Sequence, residues 1–296
     1  MTHPTVFDRR LLAARRDRAF RRAEPGCEFL MARVAEDLAD RLAPVMRRFE
    51  VGVDLSAGTG LVAERLTASG KIGQVVRIDS LAGDPARGGP DLIGDEEALP
   101  LAPASVDLVA SALSLQFVND LPGALVQIRR ALRPDGLFLA ALIGGETLKE
   151  LRDAVTRAED EVLGGVSPRV APFADVRDMG RLLQRAGFAL PVTDVDTVTV
   201  RYASPLRLLA DLRAMGAGNV LEARSRRPMT RALLARTAAI YQDRHADADG
   251  RIRATFQVIS VSGWAPHESQ QQPLKPGSAK MRLADALGAK EFGPEG

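Results

Sequence analysis

The stretch that decides the fold is "VGVDLSAGTGLVAERL", residues 51–66. An apolar run ends at an acid, Asp54. Small residues and two glycines follow, and apolar residues then return at helical spacing as Leu61, Val62 and Leu66. A strand, a tight turn and a helix in that order make a nucleotide-binding unit, because glycine lets the chain turn and lets a ligand approach the backbone. Gly58 and Gly60 fill that role. Ser56 stands where the first glycine of an acidic-x-Gly-x-Gly-x-Gly series would be. At ordinary dihedrals so small a side chain is harmless; at positive φ it would cost about 1–2 kcal/mol.

The same alternation continues outward. "IGQVVRID" (72–79) reads as a second strand, and "ARGGPDLIGD" as a turn with a short third strand. "VDLVASAL" (106–113) is a largely apolar run, the pattern of a strand buried on both faces. "NDLPGALVQIRRALRPDG" reads as a helix closed by a Pro-Asp-Gly turn, and "LFLAALIGG" as another buried strand. Strands alternating with helices through residue 145 predict right-handed βαβ units and a parallel sheet. Beyond it "ETLKELRDAVTRAEDEVL" and "FADVRDMGRLLQRAGF" read as helices, and "PVTDVDTVTVRY" and "IRATFQVISVSGW" as β-branched strands. Helical residues at about 203–244 separate those two strands. Their apolar positions Leu206, Leu209 and Met215 suit either a lid over the ligand rim or plain core. The expected divisions are a helical segment 1–48, a main domain 49–264 carrying this insertion, and an irregular tail 265–296.

Four further signals fall at consecutive strand ends. Asp79 closes the second strand about twenty residues past Gly60, where a carboxylate can accept from both ribose hydroxyls. "GDEEALPL" (94–101) places Asp95 after the third strand, where it can accept from an adenine amino group, with Ala98 and Leu99 as apolar contacts. "FVND" (117–120) follows the fourth strand, on the carboxyl-end rim where ligands bind in open α/β sheets. The candidate cofactor-binding residues are Asp54, Ser56, Gly58, Gly60, Asp79 and Asp95, joined by Glu96 and Ser111. Gln116, Asn119 and Tyr202 are candidates for the substrate rim. Gln116 and Asn119 are poor bases, and Asp120 suits the N-terminal turn of the next helix.

Composition narrows the classes. The chain has 296 residues, 46% hydrophobic and 26% charged, which suits a soluble globular protein of one large or two modest domains. It has no apolar run of about eighteen residues and hence no spanning helix. A net charge of +2 gives no bulk drive toward nucleic acid. The single cysteine, Cys27, excludes an internal disulfide, and His3, His245 and His267 form no zinc-type pair. No metal site is expected: the one His-x-Asp spacing, His245 to Asp247, lies in "RHADADG", which has the composition of a solvated turn. The arginine-rich start "FDRRLLAARRDRAFRR" is interrupted by Asp8 and Asp17, unlike a transit peptide. It reads as a solvated amphipathic helix with Phe7, Leu11 and Ala14 on one face, and sharper roles are closure over the cofactor or docking of the acceptor. The chain is expected in the cytoplasm of a bacterium, or in the mitochondrial matrix of a eukaryote.

"DLSAGTG" lacks the third glycine of a dinucleotide-binding loop and resembles the first motif of class I S-adenosylmethionine-dependent methyltransferases. Asp79 and Asp95 match that class's second and third motif positions, and "LRPDG" resembles a later one. "ALSLQFVNDLPGAL", "LRPDGLFLAALIGGETLKELR", "SPRVAPFADVRDMGRLLQRAGF" and "GWAPHESQQQP" resemble the complex I assembly factor 5 family. The likeness covers nearly the whole chain, from "FDRRLLAARRDRAF" to "PGSA". That family is close to the malonyl-carrier-protein methyltransferases of biotin synthesis. The resemblance implies a Rossmann-like α/β fold with a mostly parallel seven-stranded sheet, an antiparallel last strand and a helical lid insertion. It also implies S-adenosylmethionine, held by Asp54, Gly58, Gly60, Asp79 and Asp95, and a protein acceptor, a complex I subunit among the candidates. No nucleic-acid partner follows, and peripheral membrane contact stays compatible with the sequence. Arginine hydroxylation, malonyl-carrier-protein O-methylation and a non-catalytic assembly chaperone are the alternatives. Ser56-Ala57 replaces a Gly-Cys pair of the family, and Gln116-Phe117 stands where some members carry His-Trp.

Overall fold

The apolar runs become the strands of one sheet, with helices on both faces. The computed structural model describes residues 5–55, 58–83 and 88–271. The elements are α1 (Arg9–Arg22), α2 (Phe29–Leu42), β1 (Phe49–Leu55), α3 (Leu61–Ala68), β2 (Ile72–Asp79), β3 (Leu92–Ile93), β4 (Val106–Ala112), α4 (Leu121–Ala131), β5 (Leu132–Ile143), α5 (Lys149–Leu163), α6 (Val176–Arg185), β6 (Ala189–Tyr202), α7 (Pro205–Ala214), α8 (Arg231–His245) and β7 (Ile252–Trp264). The sheet order is β3-β2-β1-β4-β5-β7-β6. The first five strands pair in parallel, and β7 enters antiparallel between β5 and β6. This is the α/β sheet with a reversed last strand that the sequence predicts. The order reverses at β1, so β1 and β4 flank the switch point where such sheets bind ligands.

Alternation along the strands fills both faces. Leu108, Ala110 and Ala112 of β4, with Leu137, Leu139 and Ala141 of β5, pack under α2, α3, α5, α7 and α8. Val109, Phe138, Ala140 and Leu142 point the other way, onto α4 and α6. Side chains alternate faces along a strand, so a strand covered on both sides must be apolar throughout; β4 is buried at all seven positions. Helix spacing does the complementary work. Leu30, Val34, Leu38 and Leu42 form the inward stripe of α2, and Leu38 and Leu42 are wholly buried.

One boundary differs from the sequence reading, and the insertion and α1 gain detail. The Pro-Asp-Gly segment does not close α4; it is the first part of β5, where the register to β4 shifts and Asp135 takes φ +62°. The insertion is α7, a connection 215–230, and α8. Its buried residues are Leu208, Leu212, Leu233 and Tyr241, whereas Leu206 is exposed. Those buried residues join the core under the sheet, so the two helices are built into the domain, and the connection between them packs through Val220 and Leu221 against Phe7 and Phe117. On α1 the buried face is Leu12 and Ala19, with Arg16 between them, while Ala14 is exposed. Phe7, ahead of the helix, is buried as expected. Residues up to Pro266 form one compact unit and His267–Gly296 a second, of which residues 267–271 are described; there His267 Nδ1 lies 2.7 Å from Ser269 Oγ. Among the described residues no helix is long and apolar enough to cross a membrane.

Candidate cofactor site

The site is built where β1, β2 and β4 end. Asp54 is 1% exposed near the end of β1, and its carboxylate accepts the N–H of Ala63 in the first turn of α3 at 2.9 Å. It therefore ties the loop's two ends together. Burial pushes its pKa up to about 7, an effect that the Ala63 N–H and the Arg77 charge oppose and the Asp79 charge adds to. Gly60 precedes α3 with φ +73°, a left-handed conformation that costs glycine nothing. Ser56 lies outside the described residues.

Asp79, at the end of β2, is also 1% exposed. Its Oδ2 accepts from Gly58 N at 2.9 Å and from Arg16 Nη2 at 3.0 Å, and its Oδ1 accepts from Leu81 N at 2.9 Å. A Cβ on Gly58 would stand 3.2 Å from Asp79 Oδ2 and would press into the Phe20 ring, 2.7 Å from Cε2. Glycine at 58 thus lets the Phe20 ring and the Asp79 carboxylate approach the backbone closely.

The acids after β3 meet the same helix. Arg9 Nη2 lies 3.1 Å from Asp95 Oδ1 and pairs closely with the buried Glu96. Glu97 was absent from the sequence candidates and is the structural member of the trio. Its Oε1 accepts from Asn119 N at 2.5 Å, and its carbonyl accepts from Gln127 Nε2 at 2.8 Å, so it locks this loop to the start of α4. Asp120 caps α4 by accepting from Gly123 N at 2.9 Å, as its position predicts. A cavity of about 200 Å³ lies between Arg9, Leu12, Ala13 and Arg16 of α1 and Ser80 and Asp95 of the rim.

The rim after β4 is the other half. Ser111 is wholly buried beside Leu55 of β1, its Oγ 3.2 Å from Ser114 Oγ. Leu113 takes φ +52°, a strained value for a branched residue, and turns the chain back at the rim. Gln116 Nε2 donates to the Leu113 carbonyl at 2.8 Å, and its buried Oε1 accepts from none of the described residues. Asn119 is engaged elsewhere: Oδ1 accepts from Val6 N and Phe7 N at 2.8 Å each, and Nδ2 donates to the Phe7 carbonyl at 3.2 Å. It clasps the segment before α1. Phe7 then meets Phe117 edge-on at 5.7 Å, and Phe117 meets Phe173 at 6.4 Å. Tyr202 stands apart, at the end of edge strand β6, with its ring in the core and its hydroxyl pKa raised by burial and by the nearby Asp211.

The structure thus brings Asp54, Gly58, Gly60, Asp79, Asp95, Glu96, Ser111 and Gln116 to one rim, and places Asn119 and Tyr202 in other work. Arg9, Arg16 and Phe20 are the residues that sequence reasoning missed. The signal was present as an arginine-rich helix in a chain whose rim loop reads "DEE". The His245–Asp247 spacing forms no shared site: His245 Nε2 lies 3.1 Å from Asp153 Oδ2, while Asp247 pairs with Arg201 and Arg253. Among the described residues no three His, Cys, Asp or Glu side chains converge as a metal site.

Known proteins agree with this architecture. The family described as "Methyltransferase domain" matches residues 53–140, from β1 through most of β5. The YcgJ protein of Bacillus subtilis has a related fold, with a TM-score of 0.53 and 14% identity over 78% of this chain and 99% of that one. The malonyl-[acyl-carrier protein] O-methyltransferase of Methylovorus sp. is 32% identical over 299 residues, covering 95% of each chain. The mitochondrial arginine-hydroxylase NDUFAF5 of Danio rerio is 37% identical over 288 residues, 95% of this chain and 89% of that one. Its Homo sapiens counterpart is 38% identical over 288 residues, 95% of this chain and 83% of that one. At that identity and over that length, the chain belongs to the family of arginine-hydroxylase NDUFAF5.

Proposed function

We propose that this chain binds S-adenosylmethionine at the ends of β1, β2 and β4 and acts on a side chain of a respiratory complex I subunit during assembly. The carrying observation is Asp79. It is a buried carboxylate with two backbone donors holding it and with its remaining partner, Arg16, supplied by a movable side chain. Such a group suits a ribose diol, which donates two hydrogen bonds and carries no charge. Asp95 and Glu96 suit the adenine side, and the glycine at 58 permits the close approach that the nucleoside needs. When bound, the cofactor supplies an electrophilic methyl group on a sulfonium. The chain's own residues then hold the acceptor in line. Gln116 Oε1, buried and without a partner among the described residues, supports a role as acceptor for an N–H of the substrate or of the cofactor's amino group. An acceptor nitrogen must lose a proton as the N–methyl bond forms and the sulfonium–methyl bond breaks; Gln116 orients that nitrogen, and the proton passes to solvent water.

The names of the relatives divide between a hydroxylated arginine and a methylated carrier-bound malonyl group. The mitochondrial relatives have the higher identities, so the reading favours a protein arginine in complex I. The test is intact-mass measurement of quinone-side complex I subunits from cells with and without this chain. A methyl increment on one subunit supports methyl transfer, and a single-oxygen increment moves the assignment to hydroxylation. Identical masses, with assembly intact when Asp79 is replaced by alanine, would leave a non-catalytic chaperone.

A further inference from the structure

The N-terminal helix packs Arg9, Arg16 and Phe20 against the acids and the glycine of the rim. Asp79 offers about four acceptor positions. Leu81 N takes one on Oδ1, and Gly58 N and Arg16 Nη2 take both on Oδ2. A ribose diol that donates to both oxygens therefore needs a position that Arg16 holds. The two backbone donors are fixed by the loop, so Arg16 is the partner that can leave. The Phe20 ring, one turn further along α1, fills the space in front of Gly58. Arg9 covers Asp95 and Glu96 in the same way. What remains beneath the helix is about 200 Å³, below the several hundred Å³ of sites for ligands of this size.

We propose that the C-terminal half of α1 is an intramolecular occupant of the nucleoside site: Arg16 and Phe20 stand in for the ribose and must swing out before the cofactor binds. The inference rests on the cofactor reading above. The helix is built for such a motion. Its beginning is pinned: Asp8 N donates to the Val220 carbonyl at 2.8 Å, Glu222 N donates to the Val6 carbonyl at 2.9 Å, and Arg224 Nη2 donates to Asp8 Oδ2 at 2.9 Å. Its end leads into residues 21–26, which are exposed, with Ala23 at φ +45° and Gly26 at φ +82°. Between these ends Leu12 packs on Val220 and Leu221, Arg15 Nη1 donates to the Asn219 carbonyl at 2.7 Å, and the Gly216 backbone lies against Arg16 and Ala19, so beyond Arg15 the helix has few partners besides Asp79 and Gly58. A guanidinium released from Asp79 enters water, while the Gly58 and Leu81 N–H groups stay on the buried carboxylate and the ribose hydroxyls take the place that Arg16 leaves. An enzyme held this way binds cofactor with an affinity reduced by its closed fraction.

The test uses the full chain and S-adenosylhomocysteine as the probe. Calorimetric titration should show tighter binding for Arg16→Gln and for Phe20→Ala than for the unmodified protein, by roughly five- to tenfold, as expected when a competing closed state is removed. Circular dichroism checks that each variant folds. On the unmodified protein, hydrogen exchange should speed up at amides 15–23 when the probe is added and stay constant at amides 9–12. Equal or weaker binding by both variants overturns the proposal while the cofactor reading stands. Slower or unchanged exchange at amides 15–23 does the same. Loss of binding in all three proteins overturns the cofactor reading and this inference with it.

Discussion

At the scale of single residues, the rim holds three polar side chains with different duties. Asp79 should carry ribose affinity: Asp79→Ala should weaken S-adenosylhomocysteine binding by about 1.5–3 kcal/mol, the range for a hydrogen bond to a charged group. Calorimetry reads it, and an unchanged affinity returns Asp79 to a loop-fixing role. Asp54 has a stability signature instead. Its folded pKa of about 7 lies above the ordinary 3.8, so the folded state binds the extra proton between those values. Its contribution is fully present below about pH 3.8, falls as pH rises from there, and is lost above about pH 7. Asp54→Asn keeps an acceptor for Ala63 N–H and removes the titration. Between pH 5 and pH 8 the unmodified protein should lose about 2 kcal/mol more stability than the variant, measured by denaturant unfolding. Gln116 should separate stability from activity. Gln116→Met removes both an unpaired buried acceptor and the bond to Leu113, effects of about 1 kcal/mol that oppose each other. Melting should move little while substrate modification drops; retained modification would make Gln116 a packing residue.

At the scale of elements, α5 fixes the segment that leads to the aromatic row. Glu159 is 1% exposed in the last turns of α5 and accepts from Ser167 N at 2.7 Å, from Ser167 Oγ at 2.8 Å and from Arg169 Nη2 at 2.6 Å. Burial would raise its pKa, and these donors outweigh that, holding it below the usual carboxylate range. The segment they fix leads to Phe173, the end of the aromatic row that starts at Phe7. Glu159→Ala leaves Arg169 unpaired in a mostly buried place and should cost about 3 kcal/mol in denaturant unfolding, typical of a broken buried pair. A cost below about 1 kcal/mol would show the pair to be solvated. The edge strand β6 is protected differently. It is fourteen residues long and carries Pro191, Asp194 and Asp196, the two acids paired with Arg41 and Arg33. Charge and proline on an open edge oppose strand addition by another chain.

At the scale of the whole molecule, cofactor binding and folding are linked. A ligand that binds only the folded state stabilises it by about 2.7 kcal/mol at a concentration one hundred times its Kd. For a chain of this size that should raise Tm by roughly 5–10 °C. S-adenosylhomocysteine should give this shift with the unmodified protein, and a much smaller one with Asp79→Ala at the same concentration. A shift of equal size in the two proteins would place the ligand away from β2.

The strand-turn-helix at 51–66 and the apolar runs after it determined the sheet, because backbone hydrogen bonding and burial act on periodicities of two and 3.6 that a sequence displays directly. They also determined the acids at the strand ends, since a strand's last residue must lie on the rim. Pro134-Asp135-Gly136 misled, because a bulge at the start of β5 needs the same residues as a turn. Asn119 and Tyr202 could not be assigned from sequence: whether a polar residue at a rim faces ligand, clasps a distant segment or enters the core depends on what packs beside it. The same holds for α1. Its arginines read as solvated charge, and only the tertiary structure decided that Arg9 and Arg16 turn inward, since their partners lie 87 and 63 residues away at the ends of two other strands.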